Sequence, residues 1–250
     1  MAGDIHYDPA FFERLRALEA RSFWFRARNA LVAEALAKIF PGARDFLDVG
    51  CGTGFILEGL AARRPSLRLT GADVFGEAIA FARDRVPGGM LVRADARRLP
   101  FAAAFDAAGA FDVLEHIRDD EAVLVEMRRV LRPGGGLLLT VPQHARLWSA
   151  ADERAGHVRR YTRRDLERKV RAAGFDIEAV TGFVSLLLPA LTAVRLWENR
   201  RPRTDTLACL APPRLLDAAF AAAMAAERGL IRRGIRFPFG GSILLAARRR

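Results

Sequence analysis

Phe46-Leu47-Asp48-Val49-Gly50-Cys51-Gly52-Thr53-Gly54-Phe55 is the stretch whose reading decides the fold. Apolar residues run into an acid and then into glycines at every second position. This marks a short buried strand that ends in a tight turn, with a helix starting near Phe55. Glycine tolerates positive φ and has no Cβ, so the backbone can bend sharply here and lie close against a ligand. The helix that follows offers free N–H groups and a positive dipole end, which suits an anionic or carboxylate-bearing ligand. Two common nucleotide loops do not fit. The pattern G-x-G-x-x-G would need glycine where the chain has Phe55, and no lysine follows the turn as a phosphate loop requires. Asp48, just before the glycines, disfavours phosphate and favours a ligand that carries a cationic group.

Outward from this turn, strands and helices alternate, as they do in a parallel sheet with crossover helices. A helix over 55–64 is stopped by Pro65, and a strand over 67–73 ends in Asp73. A helix over 76–86 is closed by Pro87-Gly88-Gly89, and a strand over 90–95 ends in Asp95. A fourth strand spans 105–111, a helix 119–131, and Arg132-Pro133-Gly134-Gly135-Gly136 reads as a hard turn before a fifth strand over 137–141. Thr162 reads as the N-cap of a helix to Ala173, with Asp165 in the capping-box position and Gly174 past its end. Strands follow at 175–180 and 242–247. Upstream, a helix spans 9–19, the aromatic cluster Phe23-Trp24-Phe25 follows, and a second helix runs over about 26–39. The cluster suits core packing or a lid over a ligand. Apolar helical stretches at 184–197 and 213–230 flank an Arg- and Pro-rich linker at 199–206, as an insertion before the last strand.

Composition narrows the function classes. At 250 residues and 51% hydrophobic content the chain has ample material for a core. The net charge of +11 invites a nucleic-acid partner, but Lys38 and Lys169 are the only lysines. The arginines are scattered rather than gathered into a basic footprint, so there is no firm evidence for nucleic acid. Cys51 and Cys209 form no C-x-x-C pair, and Cys51 reads as a spacer in the turn. His6, His116, His144 and His157 show no metal-ligand spacing, so no metal is expected. The N-terminus lacks a signal-peptide layout, and the longest uncharged run, 179–194, is too short for a membrane span. A cytoplasmic location is expected, with contact at the inner face of the membrane left open through the apolar and arginine-bearing segment 184–240.

Three acids at successive strand tips face one crevice of an open parallel sheet. Asp73, about 20 residues past the glycines, is placed to accept from ribose hydroxyls. Together the runs Leu47–Gly54, Gly71-Ala72-Asp73, Ala94–Phe101, Phe111–Ile117 and Leu131–Gly135 resemble class I S-adenosylmethionine-dependent methyltransferases. The resemblance spans about residues 44–182 and returns at the final strand. It implies an α/β, Rossmann-like three-layer sandwich with a seven-stranded, mostly parallel sheet in the order 3-2-1-4-5-7-6, the last strand antiparallel. N-terminal helices and a helical insertion before the last strand would complete one methyltransferase domain over 1–250. Its parts would be a helical lid (1–43), a cofactor core (44–183), the insertion (184–240), and the last strand with its tail (241–250). Carried over residue by residue, S-adenosyl-L-methionine would be held by Asp48, Gly50, Gly52 and Gly54 at its methionine part and by Asp73 and Val74 at the ribose. Asp95 and Ala96 would face adenine, and Phe111 and Asp112 would lie beside the sulfonium.

Methyl transfer from a sulfonium mainly requires alignment and exclusion of water, with a base only where the acceptor must lose a proton. The family's Asn/Asp-Pro-Pro-Tyr/Phe motif for amino methylation is missing at the fourth-strand tip. The loop from Val141 to Thr162, with Trp148-Ser149, Asp152, Gly156-His157 and Arg160-Tyr161, is similar to that of a bacterial subgroup acting on small molecules. In that loop His157 is the base candidate, with Asp152 to orient it and Tyr161 or Arg160 to position the acceptor. The other reading of the same residues is a structural ion pair and a helix cap. The expected reaction is methyl transfer to O or C of a small or lipid-like molecule. The alternatives are an RNA or nucleic-acid methyltransferase and a membrane-associated, methyltransferase-like binding protein.

Overall fold

Strand β1 (Asp45–Val49) lies inside the sheet, paired in parallel with β2 (Arg68–Asp73) on one side and β4 (Phe105–Phe111) on the other. The structure is a computed structural model that describes residues 9–200 and 212–250. The sheet continues outward through β3 (Met90–Arg93), β5 (Leu131–Pro142), β7 (Ser242–Arg249) and β6 (Phe175–Phe183), giving the order β3-β2-β1-β4-β5-β7-β6. β7 runs antiparallel to both its neighbours. Its run Ile243–Ala247 is buried on both faces, as a strand packed under helices on each side must be. The doubly wound, mostly parallel sheet with an antiparallel last strand is the architecture that the alternation and the family resemblance imply.

Two apolar clusters lie on opposite faces of the sheet. One holds Phe46, Leu36 and Leu57, and the other Leu47, Val49, Leu124 and Leu166. Consecutive β1 residues point to opposite faces, which is why Phe46 and Leu47 enter different cores. The connecting helices are α3 (Phe55–Arg63), α4 (Gly76–Arg85), α5 (Asp120–Val130), α6 (Ala150–Arg154) and α7 (Arg163–Ala172). Thr162 caps α7 by accepting from the Asp165 N–H at 3.1 Å, and Gly174 closes it with φ +89°. The reciprocal half of a capping box is found instead at Ser149 and Asp152, which open α6.

Arg132–Gly135, expected as a hard turn, is an excursion inside β5. Phe105 pairs with Leu131, but Ala107 already pairs with Gly136, so the intervening residues bulge out. Arg132 anchors the bulge through Asp45 and Asp106. β3 stops at Arg93, two residues short of the expected strand end, and Asp95 sits in the turn that follows.

The N-terminal helices are α1 (Pro9–Glu19) and α2 (Phe23–Ile39), the later pair α8 (Leu188–Arg200) and α9 (Arg214–Arg232), and Leu31 and Leu36 of α2 enter the apolar cluster that holds Phe46. α2 packs along α9. Asp217 of α9 accepts from the Phe23 N–H at 2.7 Å and pairs with Arg26. Glu227 of α9, fully buried, accepts from the N–H groups of Ser185 and Leu186 at 2.7 and 2.8 Å. His6, Arg201, Arg203 and Cys209 lie outside the described residues, as do the side chains of Trp197 and Arg200. No helix among the described residues is long and apolar enough to cross a membrane.

Candidate functional site

Asp48, next to the last residue of β1, has its side chain buried, and its Oδ1 has no hydrogen-bond partner. Burial pushes its carboxyl up to about 8; the nearby Arg28 works against the shift and Asp73 adds to it. An orphaned carboxylate oxygen in such a place calls for a cationic partner. Beyond it the chain turns through Gly50 at φ +73° and Gly52 at φ +54°. A Cβ on Gly50 would stand 2.5 Å from the Val113 side chain, whereas above Gly52 there is nothing within 4 Å. The first glycine is therefore fixed by packing, and the second leaves open space for a ligand. Burial pushes the Cys51 thiol up, consistent with a spacer.

Asp73, at the tip of β2, accepts from the Gly52 N–H at 2.8 Å and from the Phe75 N–H at 2.9 Å. It thus ties the glycine turn to the next strand while each oxygen keeps lone-pair capacity for a ligand hydroxyl. Asp95 accepts from the Arg97 N–H and pairs with the Arg97 guanidinium at 2.6 Å, which holds its carboxyl below the usual range. Its two oxygens are thus largely engaged within their own turn. Asp112, at the tip of β4, has φ +59° and accepts from Arg28 and from the Thr140 hydroxyl. Arg28 also stacks over Trp24 at 4.5 Å. A left-handed non-glycine residue held by an ion pair at a strand tip is the kind of strain that surrounds binding sites.

These strand tips open into one cavity of about 900 Å³ that continues under α1, α2, α8 and α9. Every residue expected to hold the cofactor lines it except Gly54. Gly54 instead precedes α3 in the left-handed region, φ +82°, with Ala82 at its back. Phe23, Trp24 and Phe25 form the first turn of α2 and line the same space, so they serve as core and as cavity wall together. Glu19 of α1 accepts from the Thr53 hydroxyl at 2.6 Å and pairs with Arg85, which clamps α1 over the glycine turn.

At the other end the loop after β5 delivers His157 and Asp152 to the wall. His157 Nδ1 lies 2.9 Å from Asp152 Oδ1, and Arg160 Nε donates to the same oxygen at 2.9 Å. Ser149 N–H donates to Asp152 Oδ2 at 2.9 Å. Burial opposes ionisation of Asp152, but the hydrogen bond from His157 and the charges of Arg160 and Arg195 outweigh it and hold the carboxyl well below its ordinary range. An ionised, four-way-held Asp152 fixes the His157 ring with its Nε2 edge free for chemistry.

Tyr161, expected to position the acceptor, does not face the cavity. It is buried in the core beneath the loop, and its hydroxyl donates to Asp120 Oδ2 at 2.6 Å, beside Lys169 and Arg159. The correction has a direct check. Tyr161→Phe is expected to lower stability by about 1.5–3 kcal/mol, the worth of one hydrogen bond to a charged group, and to leave cofactor affinity unchanged. A denaturation curve and a calorimetric titration read the two effects separately.

Residues that the sequence did not single out also reach the site. Arg28 from α2 and Arg195 from α8 approach Asp112 and Asp152 respectively. Glu115 lines the cavity fully buried, and both carboxylate oxygens are without a hydrogen-bond partner. Burial, with Asp112 adding to it, raises its carboxyl far above the ordinary value. His116 and His157 stand edge to face with centroids 4.7 Å apart, and burial, reinforced by His157, pushes the His116 imidazole down to about 4. The absence of ligand spacing in the sequence thus conceals a Glu-His-His cluster, because its members are 41 residues apart and meet only when the loop folds back.

Residues 47–139 match a family model described as a methyltransferase domain. A probable S-adenosylmethionine-dependent methyltransferase of Mycolicibacterium smegmatis is 31% identical over 66% of this chain and 64% of that protein. A trans-aconitate 2-methyltransferase of Azoarcus is 28% identical over 69% of this chain and 67% of that one. The chain thus spans less than two thirds of the mycobacterial relative. Among solved structures, phosphoethanolamine N-methyltransferase 2 of Haemonchus contortus, in complex with S-adenosyl-L-methionine, superposes with a TM-score of 0.57. It is 21% identical, over 88% of this chain and 52% of that one, so the likeness concerns the fold.

Proposed function

Because the chain belongs to the class I S-adenosylmethionine-dependent methyltransferases, whose methyl donor is S-adenosyl-L-methionine, we propose that it transfers that methyl group to O or C of a small, largely apolar acceptor. The single observation that carries the reading is the continuous cavity. At one end it has the glycine turn with the orphaned Asp48, at the other the His157–Asp152 pair, and Asp112 stands between them. Asp48 suits the α-ammonium of the cofactor's methionine part, and the open face of Gly52 lets its carboxylate approach the start of α3. Asp73 and Val74 suit the ribose, and the Asp95–Ala96 turn suits the adenine.

The acceptor end supports the choice of substrate class. Phe23, Leu187, Leu191, Val194 and Phe220 are among the residues that line the cavity, and such apolar surface supports a largely apolar acceptor. His157, oriented by Asp152, takes the proton of a hydroxyl or an acidic carbon as the methyl group arrives. Arg160 is engaged by Asp152 and by the Gln143 carbonyl, so it steadies the pair.

The cofactor assignment has a pH signature. The Asp48 carboxyl, lifted to about 8 in the free protein, is largely protonated near pH 7. A cationic ammonium beside it favours the charged form, so binding drives that proton off. Adenosylhomocysteine affinity is expected to rise roughly tenfold per pH unit between pH 6 and 7.5 and to flatten above 8. Calorimetry in buffers of different ionisation enthalpy should count close to one proton released at pH 6.5, and none in Asp48→Asn. An affinity that stays flat from pH 6 to 8 would refute the pairing.

A further inference from the structure

We infer that Glu115, His116 and His157 form a binding site for one borderline divalent metal ion of the zinc type, set in the wall of the cavity beside the His157–Asp152 pair. The ligand atoms of the three side chains all lie within 4.8 Å of one another. A tetrahedral ion with bonds of 2.0–2.2 Å needs its ligands about 3.4 Å apart, so modest side-chain rotations close the set. Two imidazoles and one carboxylate are the donor set that such ions take, with a position left over for water or an acceptor oxygen.

Two features point to an ion there. First, Glu115 is fully buried with both oxygens unpartnered, whereas Asp112, Asp152 and Asp95 in the same cavity are engaged. Asp112 is held by Arg28, Asp152 by Arg160 and His157, and Asp95 by Arg97. Arg28 and Arg160 act on Glu115 only through space. A buried carboxylate left in this state needs a proton or a cation. Second, the His157 imidazole already has one nitrogen turned to an acceptor. His157 Nδ1 meets Asp152 Oδ1 at 2.9 Å, and the His116 ring stands edge to face with the His157 ring, centroids 4.7 Å apart. Outer partners of this kind fix the tautomer of a metal-ligating histidine and leave its other nitrogen as a lone-pair donor.

The existence of the site does not depend on methyl transfer, but its role rests on the methyltransferase reading. An ion held by His157 Nε2 would take over from the free imidazole. It would bind and acidify an acceptor hydroxyl, selecting acceptors that offer an oxygen to the metal.

The test uses the full chain, stripped with a chelator and titrated with Zn²⁺ by calorimetry, with adenosylhomocysteine binding measured on every variant. One Zn²⁺ per chain is expected at micromolar affinity or tighter. His116→Asn and His157→Asn should each weaken it by about 100-fold or more, and Glu115→Gln likewise. His144→Asn, outside the cluster, should leave it unchanged. Zinc binding that is absent, or equally tight in the His116 and His157 variants, overturns the site even if adenosylhomocysteine still binds. Loss of adenosylhomocysteine binding in the parent chain with zinc retained would instead fault the methyltransferase reading. Should Glu115→Gln fail to fold, the two histidine variants decide.

Discussion

Asp73→Ala is expected to weaken adenosylhomocysteine binding by at least about 100-fold. The reasoning starts with the number of bonds at stake. The carboxylate accepts from the N–H groups of Gly52 and Phe75 and offers its remaining lone pairs to the ribose diol. Hydrogen bonds to a charged group are worth about 1.5–3 kcal/mol each, so loss of two to the ligand alone amounts to roughly two to four powers of ten. The same substitution also frees Gly52 from β2, and the turn that must meet the methionine part loses its anchor. Asp73→Asn should fall between, because the amide keeps one acceptor oxygen. Asp95→Ala should cost less than tenfold, since both Asp95 oxygens are engaged by Arg97. Calorimetric titration of the three variants orders them. An Asp73→Ala protein that binds as tightly as the parent would remove the strand-tip site.

How much of this was legible in the sequence depends on the distance over which each feature is determined. The glycine turn, the strand-end acids and the alternation of elements are local, and the structure keeps them in the order the pattern gives, with the acids at or within two residues of the strand ends. Features set by a partner far along the chain were not legible. The sequence starts the second helix at Arg26, yet α2 begins at Phe23, because the Asp217 carboxylate, 194 residues away, accepts the Phe23 N–H. Tyr161 reads as a site residue from its place in the loop, but Asp120 and Lys169 draw it into the core. The pairing of His116 with His157 could not be seen in spacing, since the Val158 N–H donates to the Glu115 carbonyl only once the loop has folded over the turn at 114–116. The roof is of the same kind. Phe23 meets Phe220 with centroids 5.2 Å apart, joining the first helices to the last.

His157→Asn is expected to lower kcat by about 10²–10⁴-fold while leaving adenosylhomocysteine affinity within threefold of the parent. The separation follows from geometry. His157 belongs to the acceptor end of the cavity, whereas the groups assigned to the cofactor sit on the tips of β1 to β4. Asparagine can still donate to Asp152, whose other partners, Arg160 and the Ser149 N–H, stay in place, so the loop should hold its shape. Asp152→Asn is the less informative variant. Asp152 is almost wholly buried with Arg160 against it, and neutralising it would strand that charge at a cost of about 3–5 kcal/mol. The acceptor for the assay comes from mass spectrometry of cell extract incubated with the protein and labelled cofactor. A His157→Asn enzyme with kcat near that of the parent would reduce the imidazole to a structural partner of Asp152.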